Sequence, residues 1–345
     1  MSDTGHVSEP TAPLRPPHPA RPPRPPHRTD RTDRAGVAAP DPATPAASSA
    51  LVRALTDWFD AHARPLPWRS AAGVRAAGGP RADHAWGVFL SEVMSQQTPI
   101  SRVEPIWREW IRAWPTPADL AAATPAEVLR SWRHLGYPRR ALRLLEAAAA
   151  ITRDHGGRVP AAEADLLDLP GVGAYTAAAV SAFAFGRRSV VLDTNVRRVL
   201  GRVTGGLALP RPHLRRDEQR GAAALVPADP AAAATWNAAV MEFGALVCTA
   251  AAPDCSACPL TSCAWREAGY PADVFRRRRQ SWAGSDRQAR GRIMAQLRES
   301  PERTAAELAA GVPAAAPAGQ HERALASLLA DGLVAQVAGG YRLPS

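Results

Sequence analysis

The chain has 345 residues, a formal net charge of +10 and 46% hydrophobic residues including ten tryptophans, enough to bury a core without disulfides. No apolar run reaches the roughly 18 residues of a membrane span, and the N-terminus lacks the apolar stretch of a secretory signal. These features argue against a membrane or secreted protein and predict a cytoplasmic one. The sequence contains no lysine, which excludes a Schiff base on a lysine side chain.

The positive charge is concentrated in the middle of the chain. Residues 1–50 and 285–345 each carry a net charge of +1, so residues 51–284 carry +8 of the total. Because this charge lies on the folded part and not on a tail, nucleic acid is the favoured polyanionic partner. The alternative is a generic arginine-rich surface that reflects compositional bias.

The N-terminal segment reads as a disordered extension. Residues 1–50 contain twelve prolines, in runs such as "RPPHPARPPRPPHR", which cannot form a packed core. Order is expected to begin near residue 51, where "LVRALTDWFDAHA" has apolar residues at helical spacing. The stretch at 70–84, "SAAGVRAAGGPRADH", is predicted to be a flexible loop.

Helix and turn dominate the rest of the chain, so the predicted fold class is all-α. From residue 85 to 205 alternating patterns are nearly absent, and "WPTPADL", "ATPAEVL" and "RVPAAEADLL" each resemble a helix start. A further helix, "ATWNAAVMEFGALV", runs into a group of cysteines. Residues 285–345 show two or three short helices followed by an alternating hairpin, which predicts a small winged-helix-like module.

The segment "LPGVGAYT" places two glycines in a turn between two predicted helices. Such a turn directs backbone N–H groups outward beside the positive end of the second helix, which makes an anion site. On a basic protein the anion would be a DNA phosphate. A tight turn without further function is the alternative, and a dinucleotide-binding motif is disfavoured because no strand precedes the turn and the third glycine is missing.

Two carboxylates stand out. Asp193, in "VVLDTNVRRV", precedes a predicted helix, where it could act as an N-cap or face a cleft. Glu92 lies in a mostly apolar helix; such a residue is usually exposed or paired, but burial in a closed pocket would raise its pKa and let it donate a proton. A proton donor and an anionic stabiliser together suit cleavage of a glycosidic bond.

The four cysteines fall in one short segment with the spacing C-x6-C-x2-C-x4-C. Their grouping in a cytosolic chain predicts a metal centre and not disulfides. One compact loop suits a [4Fe–4S] cluster better than zinc, which usually takes two separated C-x2-C knuckles. The predicted ligands are Cys248, Cys255, Cys258 and Cys263.

These motifs occur in the order seen in helix-hairpin-helix DNA glycosylases. With "LPWR", "SEVMSQQT", "HLGYPRRA" and "MEFGALVC", the chain over residues 51–275 resembles the adenine DNA glycosylases of the MutY type. The resemblance implies a two-lobed helical fold with a [4Fe–4S] loop. Its six-helix lobe would span about 85–190 and its cluster lobe 51–84 and 191–275, while 285–345 stands where the family has a Nudix-like domain.

The resemblance also implies an activity: removal of adenine mispaired with 8-oxoguanine or guanine in duplex DNA. Glu92 would protonate the adenine and Asp193, supported by Asn195, would stabilise the sugar cation. Tyr175 stands where lyases of the endonuclease III type carry a lysine, so a monofunctional glycosylase is expected. Thr194 departs from the family, which more often has glycine there, a residue free to adopt positive φ.

Further residues receive roles through the same resemblance. The hairpin would bind DNA phosphate. Gln97 and Tyr137 would act around the opposite 8-oxoguanine, with Tyr137 as an intercalating wedge. Three other residues would line the adenine pocket, although core packing is the alternative for Trp68. The hairpin residues are Gly171, Val172 and Gly173, and the pocket residues are Trp68, Arg69 and Glu242. The expected protein is a monomer in the bacterial cytoplasm, associated with the nucleoid when it is bound to DNA.

Two other functions remain open at this stage. An endonuclease III-type glycosylase and lyase acting on oxidised pyrimidines would share the fold, hairpin, aspartate and cluster. A non-catalytic iron–sulfur protein that binds DNA or senses redox state would use the basic core and the C-terminal module, but would leave Glu92 and Asp193 without a purpose.

Overall fold

A computed structural model describes residues 45–275, 284–313 and 316–345 of the chain. Helices account for nearly all of its regular structure, which confirms the all-α prediction. The first nine helices are α1 (Pro45–His62), α2 (Ala71–Gly78), α3 (His84–Met94), α4 (Ile100–Ala113), α5 (Pro117–Ala121), α6 (Pro125–Ser131), α7 (Arg139–Asp154), α8 (Glu163–Leu167) and α9 (Ala174–Phe185), with a 3-10 turn at Pro67–Arg69.

The second half of the chain continues the helical pattern and ends in a hairpin. Strands β1 and β2 pair antiparallel, with Gln336 opposite Tyr341. These elements are α10 (Thr194–Gly205), α11 (Arg216–Leu225), α12 (Pro230–Leu246), α13 (Ala264–Glu267), α14 (Asp286–Glu299), α15 (Ala305–Ala310), α16 (Gln320–Ala330), β1 (Ala335–Val337) and β2 (Gly340–Arg342). Three helices followed by a hairpin agree with the winged-helix-like pattern expected for 285–345. Of the helices in the described part of the chain, not one is both long and apolar enough to cross a membrane.

Several helix starts follow the sequence signals. Thr116 and Thr124 each form a capping box, in which the threonine hydroxyl accepts from the N3 backbone N–H and the N3 carboxylate accepts from the threonine N–H. The third signal, "RVPAAEADLL", gives α8, which begins at Glu163 without a side-chain cap. Proline at N1 fixes the first φ of α5 and α6 without losing a helical hydrogen bond.

Two expectations near the N-terminus differ from the structure. The segment predicted as a flexible loop at 70–84 contains helix α2, because Ser70 caps it by accepting from the Gly73 N–H at 3.0 Å and because Val74 and Ala77 are buried. Helix α1 begins at Pro45, within the segment predicted to be disordered. The prediction for residues 1–44 lies outside the described residues.

The hydrophobic residues form two main cores. The larger one combines α2–α9 with the C-terminal module (residues 284–345), and four fully buried tryptophans anchor it: Trp86, Trp107, Trp110 and Trp132. Each indole N–H donates to a backbone carbonyl at 2.8–3.0 Å, which satisfies the one polar atom these side chains bury. Residues 68–82 also pack into this core, although 51–84 was predicted to belong to the other lobe.

The smaller core joins α1 to α10–α12 and to the loop that carries the cysteines. Leu55 and Trp58 of α1 pack against Val199 of α10 and against Trp236 and Phe243 of α12. Because α3 and α9 belong to the larger core and α10 and α12 to the smaller one, side chains that project from these four helices meet where the two cores adjoin. The candidate site lies there.

Candidate active site

A cavity of about 500 Å³ lies between the two cores. Its volume falls in the usual range for a small-molecule or base pocket. Both predicted carboxylates and all three residues proposed for an adenine pocket line it. The predicted site residues that line it are Trp68, Arg69, Glu92, Tyr175, Asp193, Asn195 and Glu242.

Glu92 is a buried residue of the cavity wall. It is only 9% exposed because residues 86–94 of α3 are all buried, so the helix has no solvent face on which a glutamate could lie. Burial raises the pKa of Glu92 from 4.5 to about 7; the Tyr175 hydrogen bond opposes this rise and the negative charge of Asp193 adds to it. Glu92 can therefore hold or release a proton near neutral pH.

Tyr175 supplies the hydrogen bond to Glu92. It lies in the first turn of α9, and its hydroxyl donates to Glu92 Oε2 at 2.7 Å. Burial, together with the neighbouring carboxylates Glu92 and Asp193, raises the pKa of Tyr175 well above 10. The phenol thus remains a neutral donor and orients the Glu92 carboxyl group.

Asp193 caps helix α10 and lines the cavity as well, so both interpretations of this residue hold. Its Oδ1 accepts from the Val196 backbone N–H at 2.6 Å, and its Oδ2 accepts from Asn195 Nδ2 at 2.8 Å. Burial raises the pKa of Asp193 above its ordinary value, while the bonds from Val196 and Asn195 oppose that rise. These two hydrogen bonds orient the Asp193 carboxylate at the cavity wall.

Arg198 extends this network towards the cysteine loop. Its Nη2 donates to Asn195 Oδ1 at 2.8 Å and to the Gly244 carbonyl at 2.6 Å, and its Nε donates to the Cys248 carbonyl at 2.8 Å. Asn195, which orients Asp193, is thereby tied through Arg198 to the end of α12 and the first cysteine of the loop.

Glu242 holds two arginines at the edge of the cavity. Its carboxylate accepts from Arg64 Nε at 2.7 Å and Nη2 at 2.6 Å, and from Arg69 Nη2 at 2.9 Å. Burial acts to raise the pKa of Glu242, but the bonds from Arg64 and the charge of Arg69 hold it below its ordinary value. Sequence reasoning missed Arg64; no motif distinguishes it from the many other arginines, and only its pairing with Glu242 does.

Trp68 both packs in the core and lines the cavity. Its indole packs edge-on against Trp107 with ring centroids 5.3 Å apart, and only 7% of the residue is exposed. The same residue lines the cavity. Trp68 is thus a core residue that also forms part of the cavity wall.

The glycine hairpin lies outside this cavity, at the start of α9. Gly171 has a φ of +79°, and a Cβ there would lie 2.7 Å from Arg143 Cβ, so both backbone conformation and space require glycine. Gly173 is the N-cap residue of α9 and provides no side-chain cap. Both glycines are exposed, so the positive end of α9 is presented to solvent.

Gln97 and Tyr137 lie in two loops that are tied together. Thr98 Oγ1 donates to the Leu135 carbonyl at 3.0 Å. Both loops contain exposed non-glycine residues in the left-handed region: φ is +55° for Gln97 and +47° for Tyr137. Such conformations cost energy and persist only where the surrounding contacts hold them; their role in binding stays a prediction.

Arg140 joins these loops to the helix that carries Glu92, and sequence reasoning missed it. Its Nη1 donates to the carbonyls of Val93 at 2.9 Å and Gln96 at 2.6 Å, and its Nη2 donates to the Leu135 carbonyl at 3.1 Å. Burial lowers the pKa of Arg140 to about 10. It follows Tyr137 in "GYPRR", but the sequence alone does not show which of the two arginines turns inward.

The four cysteines are free thiols in one loop between α12 and α13. Arg202 Nη1 lies 3.3 Å from Cys248 Sγ, and Cys263 Sγ lies 3.7 Å from the Arg202 carbonyl oxygen. Burial raises the pKa values of Cys248 and Cys258, and the neighbouring cysteines add to both rises. Across residues 45–275, 284–313 and 316–345, no three His, Cys, Asp or Glu side chains are close enough together to hold a metal ion.

Comparison with known proteins identifies the family. A family model described as the HhH-GPD superfamily base excision DNA repair protein matches residues 90–218. An adenine DNA glycosylase of Mycolicibacterium smegmatis is 50% identical over 286 residues, which cover 83% of this chain and 93% of the relative. The chain belongs to the adenine DNA glycosylase family. An adenine DNA glycosylase of Mycobacterium tuberculosis is 47% identical over 295 residues, 84% of this chain and 92% of that one.

The fold of this adenine DNA glycosylase family member also matches a solved structure. That of a thermostable thymine-DNA glycosylase superposes with a TM-score of 0.56 at 28% identity, covering 66% of this chain and 99% of that one. Membership of this family confirms the sequence-based recognition and establishes the chain as a base-excision repair enzyme. It argues against both the endonuclease III-type and the non-catalytic alternatives.

One departure from the family pattern has a structural explanation. Thr194 is the first residue of α10, and the described residues with positive φ outside glycine do not include it. The backbone after Asp193 therefore needs no glycine, and threonine is compatible with the helix start.

Proposed function

We propose that this enzyme excises adenine mispaired with 8-oxoguanine or guanine in duplex DNA and leaves an abasic site. The observation that carries the proposal is the cavity in which Glu92, protonated near neutrality, faces the capped carboxylate of Asp193. A carboxyl group that can donate a proton and a carboxylate that can stabilise positive charge are what hydrolysis of a glycosidic bond requires. The adenine glycosylases among the relatives support adenine as the base.

DNA binding would use the hairpin and the positive charge carried between residues 51 and 284. The backbone N–H groups at the start of α9 suit a phosphate, and the +8 charge on residues 51–284 suits the DNA backbone. Because the cavity lies inside the protein, the adenine must leave the base stack to reach it. Arg69, Glu242 and Trp68 would then contact the flipped base.

The proposed reaction breaks the bond between C1′ of the sugar and N9 of adenine. The bonding electrons pass to the base, and Glu92 donates its proton to a ring nitrogen of the departing adenine. The Asp193 carboxylate, oriented by Asn195, stabilises the positive charge that develops on the sugar. A water molecule adds to C1′ and gives its proton to the Glu92 carboxylate, which restores the acid.

The sequence supports a monofunctional enzyme. Tyr175 occupies the position of the lyase lysine and already donates to Glu92, and the chain has no lysine elsewhere. A strand-cleaving Schiff base on a lysine side chain is therefore not available. We expect the enzyme to act as a monomer because one chain supplies the whole cavity, which size-exclusion chromatography with light scattering would check.

A duplex cleavage assay tests this function. A duplex with adenine opposite 8-oxoguanine, labelled on the adenine strand, is incubated with enzyme, and half of each sample is treated with hot alkali. We expect strand cleavage only after alkali, and a loss of at least about 100-fold in rate for Glu92→Gln. Nicking without alkali, or activity on a thymine-glycol duplex in place of the mismatch, would instead support the endonuclease III-type alternative.

We also propose that Cys248, Cys255, Cys258 and Cys263 hold a [4Fe–4S] cluster. The four cysteines lie in one loop, and the Arg202 guanidinium beside Cys248 opposes the effect of burial and favours thiolate, so the chemistry of the donor set suits a cluster although no three described side chains lie close enough together to hold a single metal ion. Such a cluster would supply a rigid cross-link and no step of the hydrolysis. Iron and inorganic sulfide in equal amounts in the purified protein would support it, whereas zinc without sulfide would contradict it.

A further inference from the structure

The C-terminal module contacts Tyr137, the residue expected to enter the DNA. Arg287, in the first turn of α14, donates from Nη1 to the Tyr137 hydroxyl at 2.8 Å. Its guanidinium carbon also lies 5.8 Å from the centre of the Tyr137 ring, within the range of a cation–π contact. One side chain of the module thus holds both the ring and the hydroxyl of this tyrosine.

The module is fixed next to the Tyr137 loop, so this contact does not depend on one long side chain. Asp331, which follows α16, accepts from Arg290 of the module at 2.6 Å and from Arg139 at 3.2 Å. Arg139 begins helix α7, two residues after Tyr137. Deeper in the interface, the largely buried Arg298 donates to the Leu129 carbonyl at 2.9 Å.

Tyr137 itself stands out from the surface between two cations. The residue is 42% exposed, and its backbone adopts a φ of +47°. Arg140 approaches the ring from the core, with its guanidinium carbon 5.5 Å from the ring centre, and Arg287 approaches from the module. An exposed aromatic ring flanked by positive charge suits insertion between stacked bases next to the phosphate backbone.

Resting on the function proposed above, we propose that Arg287 is a positioning residue that holds Tyr137 ready for insertion. The C-terminal module then contributes directly to mismatch recognition. A free tyrosine side chain would lose rotamer entropy on entering the duplex, and the Arg287 contact removes part of that cost before binding. The contribution appears on mismatched DNA, where insertion occurs, and not on undamaged DNA.

The test compares variants of Arg287 with the wild type on a duplex that the enzyme binds but does not cleave. The duplex carries 2′-fluoroadenosine opposite 8-oxoguanine, with 2-aminopurine as the neighbouring base to report unstacking. Arg287→Ala is expected to raise the Kd for this duplex about 10-fold, and to remove most of the fluorescence rise seen with wild type. Arg287→Lys keeps a charged donor and should recover much of both signals.

The matched control is Arg342→Ala. Arg342 is an exposed arginine of β2 in the same module, and no described hydrogen bond joins it to Tyr137. The Arg342→Ala substitution removes the same charge as Arg287→Ala and should change the Kd for the mismatched and the undamaged duplex by no more than about twofold. On an undamaged duplex Arg287→Ala and Arg342→Ala should behave alike.

A double-mutant cycle locates the effect. Tyr137→Phe removes the hydroxyl that Arg287 holds, so Arg287→Ala combined with Tyr137→Phe should be scarcely worse than Arg287→Ala alone. Additive losses would contradict the proposal. Equal losses on mismatched and undamaged DNA would also overturn it, because Arg287 would then be a phosphate contact.

Thermal unfolding checks that each variant is folded. Arg287 is exposed, so Arg287→Ala should leave the melting temperature within a few degrees of wild type. If Arg287→Ala is less stable than that, Arg287→Lys is used to test the contact in a folded protein. If wild type neither binds the fluorinated duplex tightly nor excises adenine from the natural mismatch, the proposed function fails and the role of Arg287 falls with it. If wild type does both and Arg287→Ala matches Arg342→Ala throughout, only the role of Arg287 is refuted.

Discussion

Glu92 keeps a proton near neutral pH because burial outweighs the hydrogen bond that would favour its ionised form. With a pKa of about 7, it is protonated over the acidic side of the physiological range. Since the proposed acid must carry its proton, the single-turnover excision rate should fall about tenfold per pH unit above about pH 7. Stopped reactions between about pH 5 and pH 9 would check this. A rate that is flat to pH 9 would contradict Glu92 as the acid.

The same residue should make the protein less stable at high pH. Below 4.5 both folded and unfolded chains keep the Glu92 proton; between 4.5 and about 7 only the folded chain does, so the free energy of unfolding falls as the pH rises. Glu92→Gln should therefore stabilise the protein above pH 7, by at most about 3 kcal/mol, and have little effect near pH 4.5.

Urea unfolding at the two pH values measures this difference. The control is Glu163→Gln, at an exposed glutamate of α8, which should change stability little at either pH. An equal effect of Glu92→Gln at both pH values would show that the residue does not titrate as the structure indicates.

Tyr175 tunes Glu92 in a direction that can be tested. Its hydroxyl donates to the Glu92 carboxylate and lowers the pKa of Glu92 against the effect of burial. Tyr175→Phe should therefore move the alkaline limb of the pH–rate profile to higher pH, with less than about a tenfold change in rate at neutrality. A limb that stays in place would mean that the hydrogen bond does not persist during the reaction.

Helices α10 and α12 approach each other closely at Asn195, the residue that orients Asp193. A Cβ on Gly244 of α12 would lie 2.8 Å from Asn195 Cβ and 3.2 Å from the Asn195 backbone, so Gly244→Ala must displace the start of α10. We expect a loss of about 1–3 kcal/mol in the free energy of unfolding and at least about a 10-fold lower excision rate.

Gly221→Ala provides the matched control at the level of helices. A Cβ on Gly221, an exposed residue of α11, would meet nothing within 4 Å. Alanine should stabilise this helix by about 0.5–1 kcal/mol and leave excision unchanged. Denaturant unfolding and excision assays on both variants test this expectation. If Gly244→Ala and Gly221→Ala excised adenine at the same rate, the close contact between α10 and α12 would not matter for activity.

Helices could be predicted where the local sequence carries a start signal, and were missed where packing against the rest of the protein stabilises them. The two capping boxes at Thr116 and Thr124 can be read from the sequence because each involves residues three positions apart. Helix α2 was missed because its glycines disfavour a helix in isolation. Burial of Val74 and Ala77 against the larger core compensates, and no local pattern reports that burial.

At the scale of the whole molecule, the C-terminal module shares a core with the helical lobe. Leu297, Leu308 and Leu328 belong to the same hydrophobic cluster as Trp86 and Trp107. A chain that ends at residue 275 should therefore melt at least about 5 °C lower than the full chain, and should bind a hydrophobic dye such as ANS.

Calorimetry of the two chains checks this expectation. In the full chain the module and the helical lobe should unfold in one transition, because a shared core couples them. A separate transition for the module, with an unchanged melting temperature for the shortened chain, would show that 284–345 is an independent domain.

Local periodicity, rare residue types and fixed spacing were enough to predict the fold class, the hairpin, the two carboxylates and the cysteine group. The order of its motifs was enough to recognise the family. The folded structure was needed to show which groups act on one another: Tyr175 on Glu92, Arg64 on Glu242, Arg140 on the loops of Gln97 and Tyr137, and Arg287 on Tyr137. In a chain whose basic residues are all arginine, the sequence cannot distinguish a structural arginine from a surface one. Burial and hydrogen bonding between distant segments make that distinction, and both arise only when the chain folds.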